Sequence, residues 1–155
     1  MIPAGRCSVS PVAALVAGAL VELCGTRVAM VDLRTAQGSR VIPEGGSRKN
    51  NDGGRSERLV WVAEKLAAIG PTRDLRAGES IASLAAILAR CRDRFAHTLV
   101  DLGGLWATGE LPAAIALIDA AVVVVRIRKT RERDLLQLGP ALAGGRIAGA
   151  ICIRR

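Results

Sequence analysis

Two acidic residues stand in the same local setting. Val31-Asp32-Leu33 and Val100-Asp101-Leu102 each close an apolar run of strand character, RVAMVDL at 27–33 and AHTLVDL at 96–102. Carboxylates at the ends of neighbouring parallel strands are placed to hold Mg2+, directly or through water, and to orient a nucleophile. Ser10-Pro11 reads as a helix cap followed by Pro at the first helical position. A turn that opens a helix offers backbone N–H groups to phosphate. Two strand-end acids and such a turn are the layout of a phosphate site. The acids also suit ordinary strand ends, because Asp is common at turns. Ser8 and Ser10 suit a helix cap better than a catalytic pair, since the sequence places no base beside them. The single histidine, His97, opens a strand and is paired with no nucleophile. The cysteines at 7, 24, 91 and 152 form no CxxC pair, which argues against zinc. They read as reduced, buried thiols of a cytoplasmic protein.

The elements that must position these residues follow from periodicity and punctuation. A helix is predicted over 11–24, apolar nearly all round and stopped by Gly25. Its apolar run is shorter than the roughly 20 residues a membrane span needs, and no cleavage motif follows it. Residues 57–69 place Leu59, Val62, Ala63 and Leu66 at helical spacing, which predicts a second helix. A short strand and turn are expected at 75–78. Ser80 is expected to cap a helix with the face Ile81, Leu84, Ala85, Leu88 and Cys91. A helix near 111–117, a strand at 120–127, a helix capped by Thr130 with a bend at Gly139-Pro140, and a last strand at 147–153 complete the chain. Strands alternating with helices imply an α/β fold: a mainly parallel sheet with helices on both faces. The segments 4–33 and 77–102 echo one another weakly, as two instances of one βαβ unit.

The chain has 155 residues, 50% of them hydrophobic, and a net charge of +8. That length suits a single domain over 1–155 with a sizeable core and excludes wholesale disorder. Trp61, Phe95 and Trp106 are the only aromatics, too few for a reader of single-stranded nucleic acid. The tryptophans read as packing residues or interface anchors. Residues 35–56 are rich in Gly, Asn and Arg and read as a flexible, basic loop.

The layout resembles the MinD/ParA class of P-loop ATPases and, within it, the cytoplasmic kinase domains of bacterial exopolysaccharide assembly, the bacterial tyrosine kinases. The resemblance covers most of the chain. RVAMVDLR (27–34) is similar to the strand-and-acid motif after the P-loop helix, with Asp32 at the first acid of its D-x-D and Arg34 at the second. DRFAHTLVDLGGL (93–105) is similar to the Walker B segment, with Asp101 at its acid and Gly103-Gly104 where the family has Pro-Pro. AAVVVVRIRKTRERDLLQL (120–138) and RIAGAICI (146–153) are similar to the strands, loop and helix that follow. The resemblance implies ATP and Mg2+ as ligands. Asp101 would hold the metal, Asp32 and Asp101 would carry the catalysis, and Arg6, Ser8, Ser10 and Gly103 would line the nucleotide.

The sequence departs from the family where phosphate is bound. Aligned on Gly25 and Asp32, the phosphate-binding Lys position falls on Ser10 and the Mg2+-binding hydroxyl position on Pro11. No Lys occurs before Lys49. The strand that should precede the P-loop is short or missing, the adenine-reading Asn is replaced by Ile153 or Arg154, and the chain has no Tyr to phosphorylate. Because phosphoryl transfer depends on positioning and charge, these losses imply a fold relative with weak or no ATPase activity. It would act as a partner or regulator, in exopolysaccharide assembly through a membrane export component or as a homodimer. Two alternatives stand beside it. One is an active ATPase or kinase in which Arg6 replaces the Lys. The other is a nucleic-acid-binding module that uses the basic loop and RIRKTRER at 126–133, whose default reading is a solvated face.

Overall fold

The computed structural model describes residues 1–3, 10–33, 57–73, 75–76 and 78–154. Arg6, Ser8, Arg34 and the loop at 35–56 lie outside the described residues. The chain divides into two compact units, Ser10–Asp101 and Met1–Val9 with Leu102–Arg155.

The Ser10–Asp101 unit is built on a four-stranded sheet. Its strands are β2 (Val28–Asp32), β3 (Glu57–Ala63), β4 (Leu66–Pro71) and β5 (His97–Asp101), in the order β3-β4-β2-β5. β2 pairs in parallel with β4 on one side and β5 on the other. Every residue of β2 is buried, which is why its sequence is continuously apolar rather than alternating. Helix α1 (Ser10–Cys24) packs on β2, β5 and β4. Its buried Val12, Ala13 and Ala17 are small side chains that allow a close approach. Gly25 adopts φ 64° and donates its N–H to the Val21 carbonyl at 2.9 Å, a left-handed helix stop that costs a glycine little. The helix is not buried all round as its composition predicts: Leu15 and Leu23 are exposed.

The largest correction falls on 57–69. These residues form no helix but an antiparallel hairpin, β3 with β4, pairing Glu57 with Pro71 and Leu59 with Ile69. The turn comes at Glu64-Lys65, where polarity peaks. Val60, Trp61 and Val62 are β-branched or aromatic and favour a strand, and that preference prevails over the approximate helical spacing. The sheet is accordingly mixed rather than parallel throughout. The strand expected at 75–78 does not form among the described residues there. Helix α2 (Glu79–Cys91) then buries Leu84, Ile87 and Cys91. Its start is organised by Glu79 rather than capped by Ser80. The Glu79 carboxylate accepts the Arg76 N–H at 2.9 Å and pairs with Arg73 at 2.9 Å.

The second unit holds an all-parallel sheet in the order β1-β6-β7, formed by β1 (Ile2–Pro3), β6 (Ala121–Arg126) and β7 (Ile147–Ile153). The expected short first strand is present as two residues, paired with Val123 and Val124. Short helices α3 (Gly103–Ala107) and α4 (Leu111–Ile115) follow Leu102, and α5 (Glu132–Leu142) links β6 to β7. Pro140 sits inside α5, where the sequence predicts a bend. Thr130 does not cap this helix. Its hydroxyl accepts the Arg126 N–H at 2.9 Å, while the Arg131 N–H meets the Asp134 carboxylate at 3.0 Å. The core of this unit is Ile2, Leu102, Leu111, Ile115, Val124 and Leu138. Gly145 lies so close to Ile115 that a Cβ there would run into its Cγ2 methyl.

Candidate functional site

Asp32 and Asp101 are the last residues of β2 and β5, and they are partners in the parallel register of the two strands. In-register residues on adjacent strands project to the same side of the sheet. Both residues are only 3% exposed, and they are the only buried charged residues among those described. Burying carboxyl groups is costly unless protein partners or a ligand satisfy their oxygens, and the strand ends where these two meet are where open α/β sheets bind ligands. The sequence predicts both the strand ends and the pairing of these acids in one place.

This donor set fits Mg2+. Mg2+ takes hard oxygen ligands, keeps several waters, and is held through one or two carboxylates together with substrate phosphates. No group of three or more His, Cys, Asp or Glu suited to a metal occurs among the described residues, so a dedicated all-protein cage is not what the acids form.

On the phosphate side, Ser10 begins α1 and Pro11 follows it. Pro11 has no N–H, so the first turn offers one backbone donor fewer to an anion. Gly103 opens α3 in the other unit. Arg6 and Ser8, the remaining residues proposed to line a nucleotide, lie outside the described residues.

The basic run at 126–133 spans the end of β6, a tight turn and the start of α5. Arg128 holds φ 67°, an uncommon conformation for a residue with a Cβ. The turn around it is closed by the Lys129 and Thr130 N–H groups on the Arg126 carbonyl, at 3.1 and 2.9 Å. Arg128, Lys129, Arg131 and Arg133 are exposed, whereas the Nε of Arg126 is buried without a partner. The run is thus largely a solvated surface.

Several features escape sequence reasoning. Trp61 stacks at a tilt against Phe95, with ring centroids 5.8 Å apart, and the Arg27 guanidinium lies 6.0 Å from its ring. Arg90 reaches from α2 to Glu57 of β3 at 2.8 Å, and that carboxylate is largely buried. No local signal announces either contact, because each joins residues more than thirty positions apart. Of the three described cysteines only Cys91 is buried, while Cys24 and Cys152 are exposed. The expectation of buried thiols therefore holds for one of them. Burial pushes the Cys91 thiol up, and a hydrogen bond with Thr98 opposes the shift. His97 is exposed at the start of β5.

A mixed α/β sheet with paired acids at the ends of two parallel strands invites comparison with solved structures, and one superimposes over nearly the whole chain. The chain shares the fold of a tyrosine kinase domain. That structure, described as the BceF Tyrosine Kinase Domain, matches with a TM-score of 0.71 and 19% sequence identity. The match covers 97% of this chain and 66% of that one, so the chain spans about two thirds of the length of the kinase domain it resembles. No protein-family model matches the sequence, and no curated protein matches it. The likeness to the kinase domain is therefore one of architecture. No described helix is long and apolar enough to cross a membrane.

Proposed function

We propose that this chain is a degenerate nucleotide-binding-fold protein of the MinD/ParA and bacterial tyrosine-kinase type. Its role is that of a cytoplasmic, weakly catalytic or non-catalytic partner rather than a phosphoryl-transfer enzyme. The observation that carries this reading is the register pair Asp32 and Asp101, buried together at the carboxyl ends of adjacent parallel strands. The kinase-domain fold supports it, as does the position of the acids where ligands bind in open α/β sheets.

Such a site would keep two acids on its metal side and lack the cation and the hydroxyl of its phosphate side. Ser10 stands where a Lys would place a charge on the β- and γ-phosphates, and Pro11 where a hydroxyl would reach Mg2+. Without these groups little positions or neutralises the transferring phosphoryl. Mg2+, when bound, would supply charge neutralisation for a phosphate; Asp101 would hold the ion and Asp32 would orient the group beside it. A protein that keeps the acids and has lost the cation is suited to regulate or complete an active relative. The exopolysaccharide export machinery is the setting we propose, with a membrane component of that machinery or a second copy of the chain as partner.

The experiment is calorimetric titration with ATP and Mg2+ alongside a phosphate-release assay. The reading predicts weak, Mg2+-dependent binding that Asp101→Ala abolishes, and no phosphate release above background. Restoring the missing groups with the double substitution Ser10→Lys and Pro11→Thr should raise the affinity by roughly tenfold, the effect of one recovered charge-assisted contact. Affinity unchanged by both sets of substitutions would overturn the site assignment.

A further inference from the structure

The sheet of the second unit ends on a strand that has the composition of a buried one. β7 reads IAGAICI, pairs with β6 along one edge only, and has no strand on its other edge among the described residues. It is nevertheless exposed over most of its length, with Ile147 54% exposed and Ala148, Gly149, Ala150 and Cys152 also open to solvent. Natural edge strands are ordinarily protected by charge, proline, bulges or a covering element. β7 has one of these protections, at its start. The register with β6 shifts between Ala121 and Val122, whose partners are Ile147 and Gly149, so Ala148 is the extra residue of a bulge. Beyond it, residues 149–153 run in regular register opposite 122–126 and leave a row of main-chain donors and acceptors with apolar surface on both faces.

The flanking charges select the occupant. Arg146 precedes the strand and Arg154 follows it, and both are exposed. A second copy pairing antiparallel about Ala150 would set Arg146 of one copy against Arg154 of the other at both ends of the ribbon. Like charges directly opposite one another are destabilising, and the chain as a whole carries +8. A strand with acidic ends reverses both penalties.

We propose that β7 is a β-augmentation site: its free edge over residues 149–153 receives an extended apolar segment of a partner protein, bounded by acidic residues that meet Arg146 and Arg154. Main-chain hydrogen bonds supply the affinity, and the terminal charges set direction and selectivity. The site stands apart from the acids Asp32 and Asp101, but it includes Ile153 and adjoins Arg154, where the resembled family has its adenine-reading Asn, so the peptide tests are run without nucleotide.

The test uses a dye-labelled synthetic peptide with a Val/Thr core and glutamate ends, and a matched peptide with lysine ends. Fluorescence anisotropy should show the acidic peptide binding at least about tenfold more tightly, the scale expected for complementary rather than like-charge pairing. Hydrogen exchange should show protection confined to the β7 amides of 149–153. The double substitution Arg146→Glu and Arg154→Glu, at exposed positions that leave the core intact, should invert the preference between the peptides. Equal affinity for both, binding that protects other segments, or absence of binding would overturn the proposal. So would β7 protection in the peptide-free protein that rises with its concentration, because a second copy would then be the occupant.

Discussion

β2 and β7 are both short apolar strands in parallel register with a neighbour, yet one is buried throughout and the other is open to solvent. Composition does not distinguish them. β2 lies between β4 and β5 with α1 packed against it, whereas among the described residues β7 pairs with β6 alone. Burial here is a property of the neighbours a strand acquires, and the chemistry follows the same division. The buried strand ends on one of the paired acids. The exposed strand ends at Ile153 and is followed by Arg154, at the edge proposed to receive a partner.

Substitutions can break this contrast, and the largest effect is expected in β2. Met30→Ala should destabilise the protein by about 2–5 kcal/mol, the range for truncating a large buried side chain. The equivalent change in β7, Ile147→Ala, should stay within about 0.5 kcal/mol, as for an exposed site. Denaturant midpoints of the two variants measure the difference directly, and comparable losses would mean that β7 is covered in solution.

Gly145→Ala should follow, at about 1–3 kcal/mol, because the new methyl must displace Ile115 in a packed core. Next comes Glu57→Gln, which keeps the shape but removes the charge facing Arg90. A loss of about 1 kcal/mol is expected for a charge-assisted bond with one largely buried partner. The same denaturation series checks both.

The smallest effect concerns Glu79, an exposed residue. The Arg73 guanidinium first, and the Arg76 N–H second, hold its carboxyl below the usual glutamate range. A depressed carboxylate stabilises the fold above its unfolded pKa of about 4.3. That contribution is lost as pH falls through the lower folded value. Glu79→Gln should therefore lower the melting temperature slightly at neutral pH, and the gap to the parent protein should close on acidification. A gap that stays constant down to acid pH would remove the Arg73 pairing as its cause.

The strands ending in Asp32 and Asp101 were legible in the sequence because a strand buried on both faces must be continuously apolar and the acid that stops it is conspicuous. The final strand was legible in the same way, but its exposure was not, since no sequence signal records a missing neighbour. The hairpin at 57–71 is masked in the sequence because Leu59, Val62, Ala63 and Leu66 fall close to a helical period. The decisive clues were the polar turn at Glu64-Lys65 and the β-branched pair flanking Trp61. The helix starts were misplaced at Ser80 and Thr130 because hydroxyl residues are common caps. In this fold Glu79 and Asp134 satisfy the backbone there instead, and the Thr130 hydroxyl closes a turn. The acid half of the candidate site could thus be found from strand patterning, whereas the pairing of Arg90 with Glu57 and the stacking on Trp61 depend on tertiary contacts.

The proposed function holds that Asp32 and Asp101 form the acid side of a nucleotide site that lacks the cation needed for catalysis. Phosphate release from ATP in the presence of Mg2+, measured for the parent protein and for Asp101→Ala, tests it most directly. Release should stay at background level in both, with Mg2+-dependent binding of ATP to the parent protein only. Sustained release by the parent protein that disappears in Asp101→Ala would contradict it.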